Sequence, residues 1–158
     1  MTAGLADPLG GTGATSIANT SGSAQNVAQV AAVPSWYRYC LSVWVRSDAA
    51  GQATLFVSAG SESAQQSVAV GPAWQRLALG AQLATQQGTA AFGLTIPGGA
   101  TVQVFGFQAE AQMGASSYKS TGAQSGVYAN ASFLDDVLKM TSEAPGIYSC
   151  PVRIGSNG

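Results

Sequence analysis

The chain contains no histidine and few charged residues. Of its 158 residues only 8% are charged, with six Lys or Arg against seven Asp or Glu. General acid–base and triad mechanisms therefore lack their commonest residue. The basic residues are scattered singly and the formal net charge is −1, so we expect no basic surface that would attract nucleic acid. The composition predicts a protein that is not an enzyme.

Cysteine and targeting signals are also scarce. Cys40 and Cys150 form no CxxC motif, which argues against a zinc or redox site. They are either semi-buried free thiols or a disulfide pair, and sequence does not decide between these. The N-terminus lacks the basic and apolar regions of a signal peptide, and no segment reaches the roughly 18 apolar residues of a membrane span. We expect a protein made and assembled in the cytoplasm, with no membrane partner.

The sequence does contain short alternating segments separated by Gly, Pro, Ser and Asp, and 46% of its residues are hydrophobic. This pattern predicts an all-β fold, an antiparallel β-sandwich of the jelly-roll type. The Ala-rich segment 24–32 has the composition of a helix, but its alternation and the following Pro34 favour a strand. The predicted strands are residues 14–20, 25–33, 37–47, 53–59, 63–70, 74–84, 89–96 and 102–112.

The alternating pattern divides the chain into a sandwich, residues 1–121, and a C-terminal extension, residues 122–158. Three further strands are expected in the extension, at 127–133, 137–140 and 147–154. The extension is too short for a core of its own, so it should pack on the sandwich or on a neighbouring subunit. The residues expected to make these assembly contacts are Val127, Tyr128, Phe133, Ile147, Tyr148 and Ile154.

Three motifs carry a resemblance to a known family. They are YRYCLSVWVRS at 37–47, WQRL at 74–77, and the last predicted strand with the residues that follow it. The last motif contains Val102, Val104, Gly106, Gln108, Glu110, Gly114, Ser117, Tyr118 and Thr121. In this order, over about residues 14–121, they resemble the carbohydrate-binding-like jelly-roll modules of phage tail and other virion proteins.

The resemblance implies a structural component of a phage particle, such as a capsid decoration, a tail fibre or a tail-tip module. Its expected partners are other virion proteins, copies of itself as a homo-oligomer, and surface glycans. The alternative is a free-standing carbohydrate-binding module that targets a glycan. A glycoside hydrolase is disfavoured, because no two carboxylates are placed across a cleft.

Aromatic residues are the first candidates for ligand contact. Trp36 and Tyr37 follow Pro34 at a loop edge, where a sugar ring could stack on them. Trp44 lies on the opposite face of its strand from Val43 and Val45. It is either a platform for a sugar or part of a central strand buried on both faces.

Four acidic residues have competing interpretations. Glu110 either contacts a ligand or accepts hydrogen bonds from backbone or from Arg76. Asp7, in ADPLGG, either supplies one oxygen to a structural calcium, as the resemblance implies, or begins an Asx-Pro turn. Asp135 and Asp136 are adjacent and would point to opposite faces of a strand, which favours a turn over a catalytic pair.

The resemblance also implies a strand upstream of Asp7. Because only six residues precede Asp7, we expect the sandwich to lack that strand. A sheet missing an edge strand exposes unpaired N–H and C=O groups. We expect the strands after Thr121 to cover that edge, either within the chain or, as we favour, from a neighbouring subunit.

Overall fold

A computed structural model of the chain describes residues 1–120 and the backbone of residues 131–134 and 137–140. The chain divides into two compact units, Met1–Lys119 and Ser120–Gly158. No helix in the described residues is long and apolar enough to cross a membrane. The first unit contains strands β1 (Thr2–Leu5), β2 (Ala14–Ala18), β3 (Gln25–Ala31), β4 (Arg38–Arg46), β5 (Gly51–Ala59), β6 (Glu62–Val70), β7 (Gln75–Gln82), β8 (Ala90–Ile96) and β9 (Thr101–Glu110).

These strands form two antiparallel sheets. Sheet A has the order β1-β2-β9-β4-β7, and sheet B has the order β3-β8-β5-β6. The predicted all-β sandwich is therefore confirmed. The Ala-rich segment is strand β3, paired with β8 along its whole length.

Alternation along each strand places one row of side chains in the core between the sheets. On β4 the inward row is Tyr39, Leu41, Val43 and Val45, all buried. The other face of β4 carries Arg38, Cys40, Ser42, Trp44 and Arg46. In sheet A, β4 lies between β9 and β7. Its outward row is therefore in the middle of the face that does not pack on sheet B, and this face carries the candidate site.

The expectation that the sandwich lacks its first strand is wrong. Residues Thr2–Leu5 form β1, which pairs with β2 and covers that edge of sheet A. The four residues TAGL show no clear alternation, and the register shifts between Thr2 and Leu5. A short irregular strand containing Gly4 at φ 80° leaves little trace in a hydrophobic pattern.

In the second unit the described strands are β10 (Ala131–Leu134) and β11 (Val137–Met140), which pair as an antiparallel hairpin. Strand β11 coincides with the strand predicted at residues 137–140. Phe133, one of the residues predicted to make assembly contacts, lies in β10. The other predicted positions lie outside the described residues: strand 147–154 and the residues Val127, Tyr128, Asp135, Asp136, Ile147, Tyr148, Cys150 and Ile154.

Candidate ligand-binding site on the outer face of sheet A

A segment that follows β9 crosses the outer face of sheet A; we call residues 111–119 the strap. The strap leaves β9 at Glu110 and reaches β7. There the Met113 carbonyl oxygen lies so close to Gly80 that a Cβ atom added at Gly80 would be 3.4 Å from it. It then returns to β9, where the Lys119 N–H donates to Gln108 Oε1 at 3.0 Å. The strap helps to explain why Cys40 and Ser42, on the outward row of β4, are buried.

Glu110 holds the strap in place. Its carboxylate accepts hydrogen bonds from the backbone N–H of Ser116, at 3.0 Å, and from the Ser116 hydroxyl. Burial alone would raise the pKa of Glu110, but the bonds from Ser116 and Gln108 and the charge of Arg76 together lower it. The carboxylate is therefore ionised at neutral pH and engaged with the chain's own backbone.

Cys40 lies beside Glu110 in the register of β4 and β9. It is a buried free thiol. Burial and the charge of Glu110 raise its pKa, and Arg76 offsets this in part. Cys40 is therefore a free thiol, which is one of the two interpretations from sequence.

Trp44 lies in the middle of the outer face, opposite Phe105 on β9 and Arg76 on β7. It is partly buried, and its indole N–H has no hydrogen-bond partner among the described residues. It belongs to a layer of side chains on the outer face and is not in the core between the sheets.

Trp36 and Tyr37 lie in the loop before β4, at the rim of sheet A. They are 38% and 52% exposed, and their rings meet edge to face with centroids 5.9 Å apart. The Gln82 side chain donates to the Trp36 carbonyl at 3.2 Å, which ties the loop to the end of β7. The two aromatic side chains are thus both accessible and held against a strand.

A shallow pocket on sheet A is connected to this loop through Gln82, which bonds to the Trp36 carbonyl, but neither aromatic ring lines it. It has a volume of about 220 Å³ and is lined by Arg38, Gly80, Ala81, Gln82 and Met113. Arg38 and Gln82 face each other in the register of β4 and β7 and supply polar groups. The strap supplies one wall through Met113.

Sequence reasoning found the aromatic pair but missed Arg38, Gln82 and Met113. Arg38 and Gln82 are 44 positions apart in the sequence, and only the antiparallel register of β4 with β7 brings them together. The position of Met113 depends on the path of the strap. The one sequence clue was Arg38 directly after the aromatic pair.

Asp7 stabilises a loop at the start of the sandwich. Its carboxylate accepts backbone hydrogen bonds from Leu9 at 2.8 Å, Gly11 at 3.0 Å and Gly13 at 2.9 Å. The bond from Gly13 contributes most to lowering the pKa of Asp7. Within the described residues no three His, Cys, Asp or Glu side chains are grouped so that they could hold a metal ion.

Comparison with known proteins adds one finding. No protein-family model matches the chain. No curated protein matches it. Among solved structures, the chain is similar to one described as "CBM4 structure and function", with a TM-score of 0.54 and 11% identity, over 63% of this chain and 72% of that one. The fold is like that of a carbohydrate-binding module. At this identity the similarity concerns the fold alone.

Proposed function

We propose that the chain is a non-enzymatic structural module of a phage particle, a decoration, fibre or tail-tip component that adheres to surface glycans. The observation that carries the adhesive role is the exposed Trp36–Tyr37 pair beside the pocket at the rim of sheet A. Its partners would be other virion proteins, further copies of itself and a glycan.

The chemistry of the rim suits a sugar. Exposed aromatic rings present an apolar face with a polar edge, which matches the apolar face and hydroxyl rim of a pyranose. Arg38 follows Tyr37 directly and Gln82 bonds to the Trp36 carbonyl, and both side chains provide N–H donors for hydroxyl oxygens. Ligand sites commonly combine an apolar surface with a few polar groups that fix orientation.

The acidic side chains support a role without catalysis. Asp7 and Glu110 accept hydrogen bonds from their own loops, and Glu62 does the same with Ala84 and Thr85, which lowers the pKa of Glu62. A carboxylate stabilised in its ionised form in this way is a poor general acid at neutral pH. With no histidine in the sequence, the sandwich offers no evident proton-transfer pair.

The phage assignment draws support from the residues that carry the resemblance. Gln108, Glu110, Ser117 and Tyr118 all take part in attaching the strap to β9, and Gly106 makes room for the Tyr118 ring. These residues act together to attach the strap. Their joint occurrence by chance in an unrelated sandwich is therefore less plausible.

A free-standing carbohydrate-binding module is the second candidate. It is favoured by the similarity to the solved structure whose title names such a module. Both candidates share the glycan contact and differ in where the protein resides.

Gold-labelled antibodies against the purified chain should decorate intact particles at a fixed position if the phage assignment is right.

The adhesive role is tested by screening the purified full chain on a glycan array, with Trp36→Ala and Tyr37→Ala as variants. We expect a restricted set of glycans to bind and both variants to lose that binding. Unlabelled particles would contradict the phage assignment. An array without binding, or with binding that both variants retain, would contradict the adhesive role.

A further inference from the structure

Charge is distributed unevenly between the two faces of the sandwich. Its three arginines, Arg38, Arg46 and Arg76, all lie on the outward row of sheet A. The four strands of sheet B contain one charged residue, Glu62, and this carboxylate is bound to Ala84 and Thr85. Sheet A also carries Glu110 at the end of β9, but its arginines outnumber that carboxylate, so its outer face attracts anions more than sheet B does.

Two of these arginines belong to matching Trp-x-Arg sequences. The first is Trp44-Val45-Arg46 in β4, and the second, Trp74-Gln75-Arg76, leads into β7. Because β4 and β7 are antiparallel, Trp44 pairs with Arg76, and the Arg46 guanidinium lies over the Trp74 ring, 5.0 Å from its centroid. The two sequences together place two indoles and two guanidinium groups side by side.

Arg46 is held from two directions without losing its charge. Its Nε and Nη2 donate to the amide oxygen of Gln103 at 3.0 and 2.8 Å, while its Cζ lies over the Trp74 ring, 5.0 Å from the centroid. The amide is neutral, so it orients the cation without neutralising it. A guanidinium has five N–H donors, and Gln103 takes only some of them.

Two hydrogen-bond donors in the same region are unpaired. The indole N–H of Trp44 and the Nε–H of Arg76 are both buried and have no partner among the described residues. The Arg76 Nη2 donates to the Ser42 hydroxyl at 3.0 Å, and the Arg76 charge also interacts with Glu110. Unpaired donors beside a pre-oriented cation raise the local positive potential, which favours an anion at this place.

We propose that Arg46, oriented by Trp74 and Gln103, binds the carboxylate of an acidic sugar, such as a uronic or sialic acid residue. This rests on the proposed glycan adhesion and specifies its ligand class. Arg46 lies eight residues from Arg38, at the other end of β4, about 26 Å away at the usual strand rise. It is therefore a contact separate from the Trp36–Tyr37 pair, and only a glycan of several sugars could reach both. The planar guanidinium can bind both carboxylate oxygens at once, and because its orientation is already fixed, little conformational entropy is lost on binding. Among the described residues, no carboxylate hydrogen bond to Arg46 has to break first.

The test compares acidic sugars with uncharged counterparts by isothermal titration of the full chain at physiological salt. One pair is a galacturonate hexasaccharide and its methyl ester, and the other is sialyllactose and lactose. We expect at least one acidic member to bind about tenfold more tightly than its neutral partner, the gain of one charge-assisted contact. Arg46→Gln should abolish that preference, and Arg46→Lys should retain only part of it.

Lys139→Gln removes the same charge outside the sandwich, in β11, and should leave the preference intact. Equal affinities within both pairs, or a preference that survives Arg46→Gln, would overturn the proposal. Dextran sulfate that binds as tightly as the acidic sugars would also overturn it, because binding would then be ion exchange. If neutral glycans bind through Trp36 but acid adds nothing, only the acidic-sugar proposal fails. If no sugar binds, the adhesive role fails as well.

Discussion

The aromatic ring of Tyr118 lies directly on the backbone of Gly106. A Cβ atom at Gly106 would be 2.8 Å from Tyr118 Cε2, and Gly106 has a φ of 65°. Tyr118 also packs against Phe105, with ring centroids 5.0 Å apart. Glycine is needed here for two reasons, the left-handed conformation in β9 and the close approach of the ring. This contact fixes the end of the strap to sheet A.

Replacing Gly106 with alanine should therefore destabilise the sandwich by about 1–3 kcal/mol, through backbone strain and displacement of Tyr118. Urea unfolding followed by tryptophan fluorescence measures the change. Gly88→Ala is the matched control, because nothing lies within 4 Å of its Cβ position. Equal stability of the two variants would show that the Tyr118 contact does not hold the strap.

Acid should weaken the sandwich. The pKa values of Asp7, Glu62 and Glu110 are lowered by hydrogen bonds that only the folded chain makes. Groups with a depressed folded pKa stabilise the fold above their unfolded pKa and lose that contribution as pH falls through the folded value. The urea concentration at the unfolding midpoint should therefore decrease as the pH is lowered from about 5 to about 2.

Asp7→Asn tests this at one position, because an amide cannot accept three N–H bonds as a carboxylate does. The variant should be less stable than the natural chain at pH 7, and the difference should shrink at pH 3. Asp48→Asn, at an exposed aspartate after β4, is the control and should change little. A constant Asp7→Asn effect at both pH values would contradict the role given to the carboxylate.

Truncating a core side chain should be costly. Leu77 on β7 is 6% exposed and belongs to the cluster between the sheets. Leu77→Ala should lower the free energy of unfolding by about 2–5 kcal/mol. The same change at Leu9, which is 61% exposed, should cost less than about 0.5 kcal/mol. A circular dichroism spectrum dominated by helix would contradict the fold itself.

Removing residues 126–158 should leave the sandwich folded, because Met1–Lys119 forms a compact unit by itself. If the extension mediates assembly, as we propose, the full chain should sediment as a homo-oligomer at micromolar concentration and the shortened chain as a monomer. A full chain that sediments as a monomer would refute this assembly role.

Most strands were predictable from sequence because both sheets bury one face against a shared core. The alternation of Leu41, Val43 and Val45 with less apolar neighbours indicated β4 directly, and turn residues indicated where strands end. The strand β1 was missed because four residues containing a glycine carry no periodic pattern.

The candidate site was only partly predictable. Exposure of Trp36 and Tyr37 followed from their place after Pro34 in a loop. One of the two roles considered for Glu110, the acceptance of backbone hydrogen bonds, is the one that the structure shows. Its partner Ser116 could not be named, because Ser116 lies in a strap whose path depends on contacts with Gly80 and Gly106. Such contacts depend on three-dimensional register and leave no local pattern in the sequence.

The Trp36–Tyr37 pair is proposed to bind glycan, whereas the Glu110 carboxylate at the end of β9 holds the strap. The most direct measurement is the affinity of a glycan identified on the array for Trp36→Ala and Glu110→Gln, both checked for folding at pH 7. We predict that Trp36→Ala weakens binding by about tenfold or more, the loss of one stacking contact. Glu110→Gln keeps an oxygen that can accept the Ser116 N–H bond and so hold the strap, and it should leave affinity within about twofold. Loss of binding in Glu110→Gln with full affinity in Trp36→Ala would contradict the account.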